Sequence, residues 1–456
     1  MSVKSASELR DLVRGEVIVP EDTGFEEARK VHNGMIDKRP AMIVRVANAG
    51  DTMTTVNFAR DNHLDLSIRG GGHSGPGFGT NDGGVVLDFS RMRGVRVDPR
   101  ARTVRAEGGT TWGDFNAATH AYGLATTGGV ISTTGIAGLT LGGGIGYLSR
   151  GHGLSLDNLI SADVVTAEGK ILQVSEDDNA DLFWAIRGGG GNFGVCTSLE
   201  YKLRPVENVY WGPMFYEVED TETIFKFYRD YIKDAPREMG AFPVFQIAPP
   251  LPFIPENRHG DMFVGIVACW AGDPAEGERQ FKAFHDVAEV KAEMVGPVPY
   301  PAINAAFDGL FPTGIRQYWK GNFVKDLTDE AIATHVQHGP NAPTVSSTMH
   351  LYPINGACQD VAADATAFGH RDASFAMVVL AASDNPADDE AHTKWVRDYS
   401  DAVAPYSEPG GYINFMDDDD RGRVRDNYGC NYDRLVETKR RYDPDNLFRF
   451  NQNIAP

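Results

Sequence analysis

The chain has 456 residues, long enough to predict two domains, and its 42% hydrophobic and 23% charged residues are typical of a globular protein. A net charge of −20 argues against nucleic acid or an anionic membrane as partner, because phosphate groups are bound by an excess of Lys and Arg. The four cysteines lack C-x-x-C spacing, which predicts neither a disulfide framework nor a cysteine zinc site. The N-terminus lacks the apolar run of a signal peptide, and no apolar stretch reaches transmembrane length. These features predict a cytoplasmic protein.

The first predicted elements form a small β-α-β unit. Residues 41–46 predict a buried strand, Asp51 is placed to cap a helix, and residues 64–68 predict the next strand. The unit leads into the first of three glycine clusters, at residues 70–84, 128–151 and 188–194. Clustered glycine indicates backbone that turns tightly or approaches a ligand closely.

Short strands and short helices continue to about residue 205. Thr111 and Asp114 have the spacing of a capping box and predict the start of a helix. Residues 161–167 predict a strand, residues 182–187 a helical segment, and residues 195–201 another strand.

The middle of the chain has a different texture, with longer alternating runs separated by amphipathic helices. The predicted strands are residues 214–218, 241–247, 261–270, 345–352 and 374–381, and the predicted helices are residues 222–233, 274–288, 328–338 and 391–403. This pattern favours an α+β second domain with an antiparallel sheet. Near the C-terminus, residues 431–441 predict a helix that ends at Asp443-Pro444, and the acidic run 417–420 is interpreted as a solvated loop.

Two glycine loops contain G-x-G-x-x-G, but neither has the strand-loop-helix context of a Rossmann site. The first follows a strand and continues into Gly75-Pro-Gly-Phe-Gly79, which cannot begin a helix; the second, 189–194, runs into a strand. The first loop does offer backbone N–H groups from Gly70 to Gly75 that can form a concavity for a pyrophosphate, with Arg69 adding charge. Glycine turns without a ligand, and a structural role for Arg69, are the alternatives.

Four segments carry a resemblance to a known family. Residues 67–74, Ser-Ile-Arg-Gly-Gly-Gly-His-Ser, resemble the flavin-attachment loop of the vanillyl-alcohol-oxidase superfamily, and most closely its berberine-bridge-enzyme-like branch, which includes bacterial 6-hydroxynicotine oxidases. Residues 138–158 and 181–194 are similar to that branch's second and third flavin-contacting stretches, and residues 428–454 resemble its C-terminal signature. The resemblance covers the first 205 and the last 45 residues in order, and the middle only loosely.

The resemblance implies a bilobal α+β fold. Residues 1–207 would form a PCMH-type FAD-binding domain with its core at about 38–207, and residues 208–410 a substrate domain with an antiparallel sheet flanked by helices. Residues 411–456 would return to the FAD-binding domain.

The resemblance also implies that FAD is linked covalently through His73. Neutral imidazole is a good nucleophile toward the flavin 8α-methyl carbon. The alternative is a loop histidine that hydrogen-bonds a phosphate. Some family members add a second link from a cysteine, where this chain has Ile131, so a single link is expected. The other implied FAD contacts are Arg69, Gly70, Gly71, Gly72, Ser74, Gly75, Thr133, Thr134, Gly135, Gly138, Gly143, Gly144, Gly146, Asp157, Asn158, Gly191, Gly194, Val195, Asn414, Asn451 and Asn453.

A base is needed to take the heteroatom proton while the flavin accepts hydride, and tyrosine or histidine can supply it. The candidates are Tyr428, Tyr432, Tyr412, Tyr318 with Lys320, and His350 or Tyr352; each is also interpretable as a packing residue. A metal site is not expected, because the H-x-x-H of His335 and His338 has no further ligands and fits a solvated helix face.

The predicted function is an FAD-dependent oxidase that acts on a small alcohol, sugar or amine and is reoxidised by dioxygen to give hydrogen peroxide. Thr134 occupies a position where the resembling oxidases have valine and the dehydrogenases leucine or isoleucine, and its size permits oxygen entry. A dehydrogenase of the same fold with another electron acceptor, and a catalytically silent flavin-binding protein, stay open as alternatives. The sequence predicts neither the substrate nor the oligomeric state.

Overall fold

The computed structural model describes residues 3–456, apart from the side chains of residues 3–5 and 421. The strands up to residue 205 are β1 (Glu16–Ile18), β2 (Met42–Arg45), β3 (Leu66–Arg69), β4 (Val85–Asp88), β5 (Val95–Asp98), β6 (Thr103–Glu107), β7 (Leu124–Ala125), β8 (Leu159–Val165), β9 (Ile171–Ser175), β10 (Val195–Lys202) and β11 (Arg204–Pro205). They form a sheet of order β1-β2-β4-β3, a second sheet of order β5-β6-β10-β8-β9, and the pair β7 and β11.

The later strands belong to a single large sheet. They are β12 (Asn208–Glu217), β13 (Met239–Ile247), β14 (Met262–Trp270), β15 (Ala292–Glu293), β16 (Gly296–Pro299), β17 (Arg316–Val324), β18 (Thr348–Pro353) and β19 (Phe375–Ser383). Their order is β15-β12-β14-β13-β18-β19-β17, with β16 also paired to β12, and their pairings are antiparallel. The prediction of an α+β fold with an antiparallel sheet in the second half of the chain is therefore confirmed.

The α-helices are α1 (Val3–Leu12), α2 (Phe25–Ala28), α3 (Ala49–Asp61), α4 (Trp112–His120), α5 (Ile136–Gly142), α6 (Ser149–His152), α7 (Ala180–Ile186), α8 (Thr221–Asp234), α9 (Gly277–Val287), α10 (Tyr300–Ile303), α11 (Asp329–His338), α12 (Asp389–Val403), α13 (Val424–Tyr428) and α14 (Tyr432–Tyr442). Helix α4 begins at the predicted capping box, in which Thr111 and Asp114 bond each other's backbone N–H. In residues 3–456 no helix combines the length and the apolar character needed to cross a membrane.

The cap predicted for α3 is wrong. Asn48 caps this helix and accepts a hydrogen bond from the Asp51 N–H at 3.0 Å. The buried Asp51 carboxylate instead accepts from the backbone N–H groups of Arg14, Gly15 and Ala47, each at 2.9 Å. Asp51 therefore ties three chain segments together, a role that its place in the helix pattern does not reveal.

The large sheet is buried on both faces. On one face, helices α8, α9, α11 and α12 cover an apolar cluster that includes Phe245 and Tyr318. On the other, Phe242 and Tyr352 pack with Ile145 and Tyr147 from the first 205 residues. The second face of the sheet therefore packs against the glycine-rich first 205 residues. A cleft between the sheet and these residues lies at this face.

Two buried arginines tie the halves together. Arg371, 4% exposed, bonds both carboxylate oxygens of Asp157, at 2.7 and 2.9 Å. Arg150 donates to four backbone carbonyls at the end of α8 and just beyond it, and to the Asn355 side chain. A cation at the C-terminal end of a helix is favourable, since the last carbonyls lack intrahelical partners.

The C-terminal segment returns to the glycine-rich half. The fully buried Lys439 ammonium bonds Asp443 at 2.6 Å and the carbonyls of Asn192 and Phe448 at 2.8 and 3.0 Å. The acidic run 417–420 is only partly the solvated loop that its composition predicts, because Asp418 and Asp419 are exposed and Asp420 is not. Asp419 and Asp420 bond Lys320 on β17, and Asp420 is buried.

Candidate active site

A cavity of about 360 Å³ lies between the glycine clusters and the inner face of the large sheet. The glycine side is lined by residues 68–76, 129–131, 134, 135, 137–139, 190, 191 and 194–196; the sheet side by Gln317, Trp319, Thr348, His350, Tyr352, Val378 and Leu380; and the ends by His32, Phe307, Phe311, 413–416, Tyr428 and 450–452. The structure thus brings all three glycine clusters and the C-terminal signature to one place. Of the predicted FAD contacts, these line it: Arg69, Gly70, Gly71, Gly72, Ser74, Gly75, Thr134, Gly135, Gly138, Gly191, Gly194, Val195, Asn414 and Asn451.

The first two glycine clusters meet at Gly71 and Gly135. A Cβ on Gly71 would lie 2.3 Å from the Gly135 nitrogen, so the two backbones touch where any side chain would separate them. The next residue, Gly72, has φ +72°, a conformation that glycine adopts without strain. Both glycines are therefore required by the path of the loop that carries His73.

His73 lies between the cavity and a shallower polar depression lined by Thr133. Its Nε2 lies 2.9 Å from the Thr133 hydroxyl, and its Nδ1 lies 3.4 Å from the hydroxyl of Thr134, which lines the cavity. The ring stacks on His32 at 3.8 Å between centroids, with 17° between planes. Burial, with a contribution from His32, lowers the pKa of His73 to about 3, so the imidazole is neutral at physiological pH.

Unpaired amide groups concentrate in the C-terminal signature. The buried side-chain oxygens of Asn451 and Asn453, and both amide atoms of Gln452, lack hydrogen-bond partners within residues 3–456. Buried polar atoms without partners cost free energy, which a polar ligand would relieve. Asn414 differs, since its amide nitrogen donates to the Leu139 carbonyl and the Tyr412 hydroxyl. The glycine-lined wall and the amides of Asn451 and Gln452, which line the cavity, fit the FAD that the resemblance implies.

His350 and Tyr352 lie on the same face of β18, two residues apart, and both line the cavity. The His350 Nδ1 lies 2.6 Å from the Tyr352 hydroxyl. Burial lowers the pKa of His350 to about 3 and raises the pKa of Tyr352, so both side chains are neutral. A neutral imidazole that accepts the tyrosine proton leaves the tyrosine oxygen able to receive another.

The predictions for Tyr318 and Lys320 are wrong. In β17, Gln317 and Trp319 face the cavity, so the alternation of the strand turns Tyr318 and Lys320 to the helix-covered side. There the Tyr318 hydroxyl bonds Asp419 at 2.7 Å and Arg397 at 3.0 Å.

The three other tyrosine candidates have structural roles. Tyr412 accepts from the Gly144 N–H at 2.7 Å, and burial raises its pKa to about 12. Tyr428 borders the cavity, but its hydroxyl donates to the Gln452 carbonyl at 2.9 Å and burial raises its pKa. Tyr432 lies outside the cavity lining, with Arg425 stacked 4.5 Å from its ring centre. The hydroxyls of Tyr412 and Tyr428 are therefore hydrogen-bonded within the protein, and Tyr432 does not reach the cavity.

Several predicted cofactor contacts are engaged with protein instead. The Arg69 guanidinium bonds Asp88 at 2.9 Å and the carbonyls of Ala28 and Lys30, so its charge is already neutralised. Asp157 pairs with Arg371, and Asn158 donates to the carbonyls of His152 and Leu154.

The remaining predicted contacts lie outside the cavity lining. They are Gly143, Gly144 and Gly146, which pack on Tyr412, Ser155 and Gly128; Thr133, which reaches His73 from the outer side; and Asn453.

The sequence suggests a solvated helix face for both histidines of the H-x-x-H motif, and for His335 this is wrong. His335 is buried, and its Nδ1 lies 2.7 Å from the Tyr399 hydroxyl. Among the described residues, no cluster of three His, Cys, Asp or Glu side chains is placed to hold a metal ion.

The cavity residues that sequence reasoning missed include His32, Gln317 and Trp319. The sequence around His32 gives no signal, since it lies in a loop and meets His73 only in the folded chain. Gln317 and Trp319 give no such signal either, because residues 316–324 do not alternate between apolar and polar side chains.

Comparison with known proteins agrees with this arrangement. A family model described as an FAD binding domain matches residues 40–175, and one described as berberine and berberine like matches residues 411–455. The chain is 31% identical to an FAD-linked oxidoreductase of Dictyostelium discoideum, over 91% of this chain and 89% of the relative. It is 30% identical to (R)-6-hydroxynicotine oxidase of Paenarthrobacter nicotinovorans, over 100% and 99%. The crystal structure of 6-hydroxy-D-nicotine oxidase from Arthrobacter nicotinovorans superposes with a TM-score of 0.86 at 27% identity, covering 97% of this chain and 98% of the other. The chain is an oxidoreductase and belongs to the berberine-bridge-enzyme-like family of FAD-linked enzymes.

Proposed function

We propose that the protein is an oxidase whose FAD is linked covalently through His73 and whose substrate is a small alcohol, sugar or amine. The observation that carries the proposal is that His73 and the His350–Tyr352 pair line one cavity. In this assignment residues 1–207 and 411–456 bind FAD, and residues 208–410 cover the substrate. The cytoplasm is the proposed location, in keeping with four free cysteines among the described residues.

A single link through His73 is supported by the surroundings of that residue. The neutral ring can present the Nδ1 lone pair toward the cavity while Nε2–H donates to Thr133 on the outer side. Ile131 lines the cavity where some relatives have a second attachment cysteine. Cys196 also lines the cavity, but burial raises the pKa of its thiol to about 12, which keeps it protonated and unreactive.

FAD supplies the hydride acceptor, and this chain supplies position and proton transfer. The Tyr352 hydroxyl, 2.6 Å from His350 Nδ1, is the group in the wall that bonds the substrate hydroxyl or amine and relays its proton as hydride leaves. In the balanced reaction, an alcohol carbon loses hydride, its oxygen loses a proton and a carbonyl forms. Dioxygen takes both electrons and both protons and leaves as hydrogen peroxide.

Two observations favour dioxygen over another acceptor. Thr134 lines the cavity, has the volume of valine, and its hydroxyl lies toward His73 Nδ1 at 3.4 Å. One relative that matches along the whole chain is named an oxidase.

The test is anaerobic bleaching of the bound flavin by a panel of alcohols, sugars and cyclic amines, followed by admission of oxygen. We expect bleaching by at least one compound and one hydrogen peroxide per substrate oxidised. Tyr352→Phe should slow bleaching about 100-fold, the usual size of an acid–base contribution. Tyr318→Phe, on the opposite face of the sheet, is the matched control and should leave the rate unchanged. Reoxidation by an artificial dye but not by oxygen would show a dehydrogenase instead.

A further inference from the structure

The imidazole of His73 is contacted on its edge and on one face. Its two nitrogens lie beside the hydroxyls of Thr133 and Thr134, at 2.9 and 3.4 Å. These contacts meet the edge of the ring, so the ring could still tilt about the line that joins them. The ring of His32 lies flat on one face of His73, with 3.8 Å between centroids and 17° between planes, and opposes that tilt.

The position of His32 is itself fixed by neighbouring backbone. His32 is buried, its N–H donates to the Gly72 carbonyl at 3.1 Å, and its carbonyl accepts from the Gly314 N–H at 2.9 Å. The next residue, Asn33, donates from its side chain to the Gly75 carbonyl at 2.8 Å. Residues 32 and 33 therefore hold the glycine loop on both sides of its histidine.

Both imidazoles of the stack are neutral. Burial lowers the pKa of His32 to about 4, although Asp308 opposes this shift, and burial lowers the pKa of His73 to about 3. Two neutral rings at this distance attract each other by dispersion, whereas two charged rings would repel. The Nδ1 lone pair of His73 lies in the plane of its ring, so a partner stacked on the face does not cover it.

We propose that His32 is a positioning residue for flavin attachment, and that its flat ring fixes the plane of the His73 imidazole and with it the direction of the Nδ1 lone pair. The inference rests on the proposed single link through His73. It goes beyond that link by naming a second residue that governs how fast the link forms. His32 itself makes no bond to the cofactor and moves no proton.

The step that His32 assists is the attack of His73 on the 8α-methyl carbon of FAD. A bond forms between Nδ1 and that carbon, while one C–H bond of the methyl group and the N–H bond of the imidazole break. The two electrons reduce the flavin, and dioxygen takes up both electrons and both protons as hydrogen peroxide. The direction of the lone pair matters, because a displacement of about 1 Å can slow a reaction roughly 100-fold.

The test compares side chains of different shape at position 32, in the full chain prepared free of flavin. His32→Phe keeps a flat ring and removes both nitrogens, whereas His32→Leu is of similar bulk to histidine and has no flat face. Each protein is mixed in air with saturating FAD, and the yellow colour that stays with acid-precipitated protein is followed. We expect His32→Phe to attach FAD within about twofold of the unmutated rate, and His32→Leu to be slower by about tenfold or more.

A control and a second measurement accompany these rates. His285→Leu makes the same substitution at an exposed position outside the cavity lining and should leave the attachment rate unchanged. Proton NMR of the His73 ring in the flavin-free protein reports the stack independently of attachment, because the ring current of a stacked partner moves these signals upfield. The upfield shift should persist in His32→Phe and disappear in His32→Leu. The comparison of the unmutated protein with His32→Leu serves even if His32→Phe misfolds.

The outcomes separate this inference from the link on which it rests. Equal attachment rates in the unmutated protein and in His32→Leu would overturn the role of His32 and leave the link through His73 standing. Attachment by folded His32→Phe as slow as by His32→Leu would also overturn it, because the nitrogens and not the flat ring would then be needed. No adduct in the unmutated protein would overturn the proposed link and the role of His32 with it.

Discussion

The hydrogen bond between Thr133 and His73 gives a direct way to test how the flavin link forms. If Nε2–H donates to the Thr133 hydroxyl 2.9 Å away, the Nδ1 lone pair lies on the cavity side, where the Thr134 hydroxyl is 3.4 Å from it. Thr133→Val keeps the shape of the side chain and removes the acceptor. Thr133→Ser keeps the acceptor and serves as the matched control. We expect the valine variant to attach FAD more slowly, because fewer molecules then hold the reactive tautomer.

The size of the effect follows from the exposure of the bond. Thr133 is exposed, so water can partly replace its hydroxyl in the valine variant. The loss should then be near the middle of the range for one hydrogen bond, about 1 kcal/mol. That corresponds to roughly fivefold slower attachment, since 1.4 kcal/mol is tenfold in rate. The final extent of attachment should be unchanged, because His73 is still present.

The assay mixes flavin-free protein with FAD and follows the yellow colour that stays with acid-precipitated protein. Nitrogen NMR of His73 in the flavin-free protein reports the tautomer independently of attachment. Equal attachment rates for Thr133→Val and Thr133→Ser, or a spectrum with the proton on Nδ1 in the unmutated protein, would refute the reasoning.

Four further predictions follow from the structure. Gly72→Val should lower both FAD content and melting temperature, whereas Gly72→Asn should retain more of each, since asparagine tolerates positive φ; equal flavin absorbance in the two variants would contradict this. Thr134→Leu should slow reoxidation by oxygen about tenfold, or ~1.4 kcal/mol, and Thr134→Val should not, as measured by stopped-flow mixing of reduced enzyme with oxygen. Arg371→Met leaves the Asp157 carboxylate buried and unpaired and should lower the free energy of unfolding by about 3–5 kcal/mol, with Arg371→Met/Asp157→Leu recovering part of the loss in denaturant titrations. Burial lowers the pKa of His335 from 6.5 to about 3, so the unfolded chain binds one proton more than the folded chain, and the free energy of unfolding decreases as the pH falls from 6.5 toward 3. His335→Gln should reduce the decrease between pH 7 and 5 by about 2 kcal/mol. An unchanged dependence on pH would count against this.

The parts of the molecule that sequence predicts well are those fixed by neighbouring residues. Thr111 and Asp114 determine the start of α4 between themselves, through bonds of 3.1 and 3.4 Å. The loop at Gly71 and Gly72 is also predictable from nearby residues, because its backbone conformation requires glycine at these positions. The resemblance then identified the family, since its motifs lie in such local segments.

The misplaced residues depend on partners distant in sequence. The sequence pattern does not reveal β17, and because a strand sends alternate side chains to opposite faces, it does not show that Tyr318 and Lys320 turn away from the cavity. The acidic run 417–420 looks solvated until the fold brings Lys320 beside it, about 100 residues away in sequence. Cavity residues such as Gln317 lie in the middle of the chain, where the family resemblance is loosest.

The central claim is that FAD is attached covalently, once, through His73. Intact-protein mass spectrometry after denaturation tests it most directly. We expect one added mass, that of a single FAD less two hydrogens, located on the peptide that contains His73 and absent from His73→Ala. A chain with no added mass, or an adduct on any other residue, would contradict it.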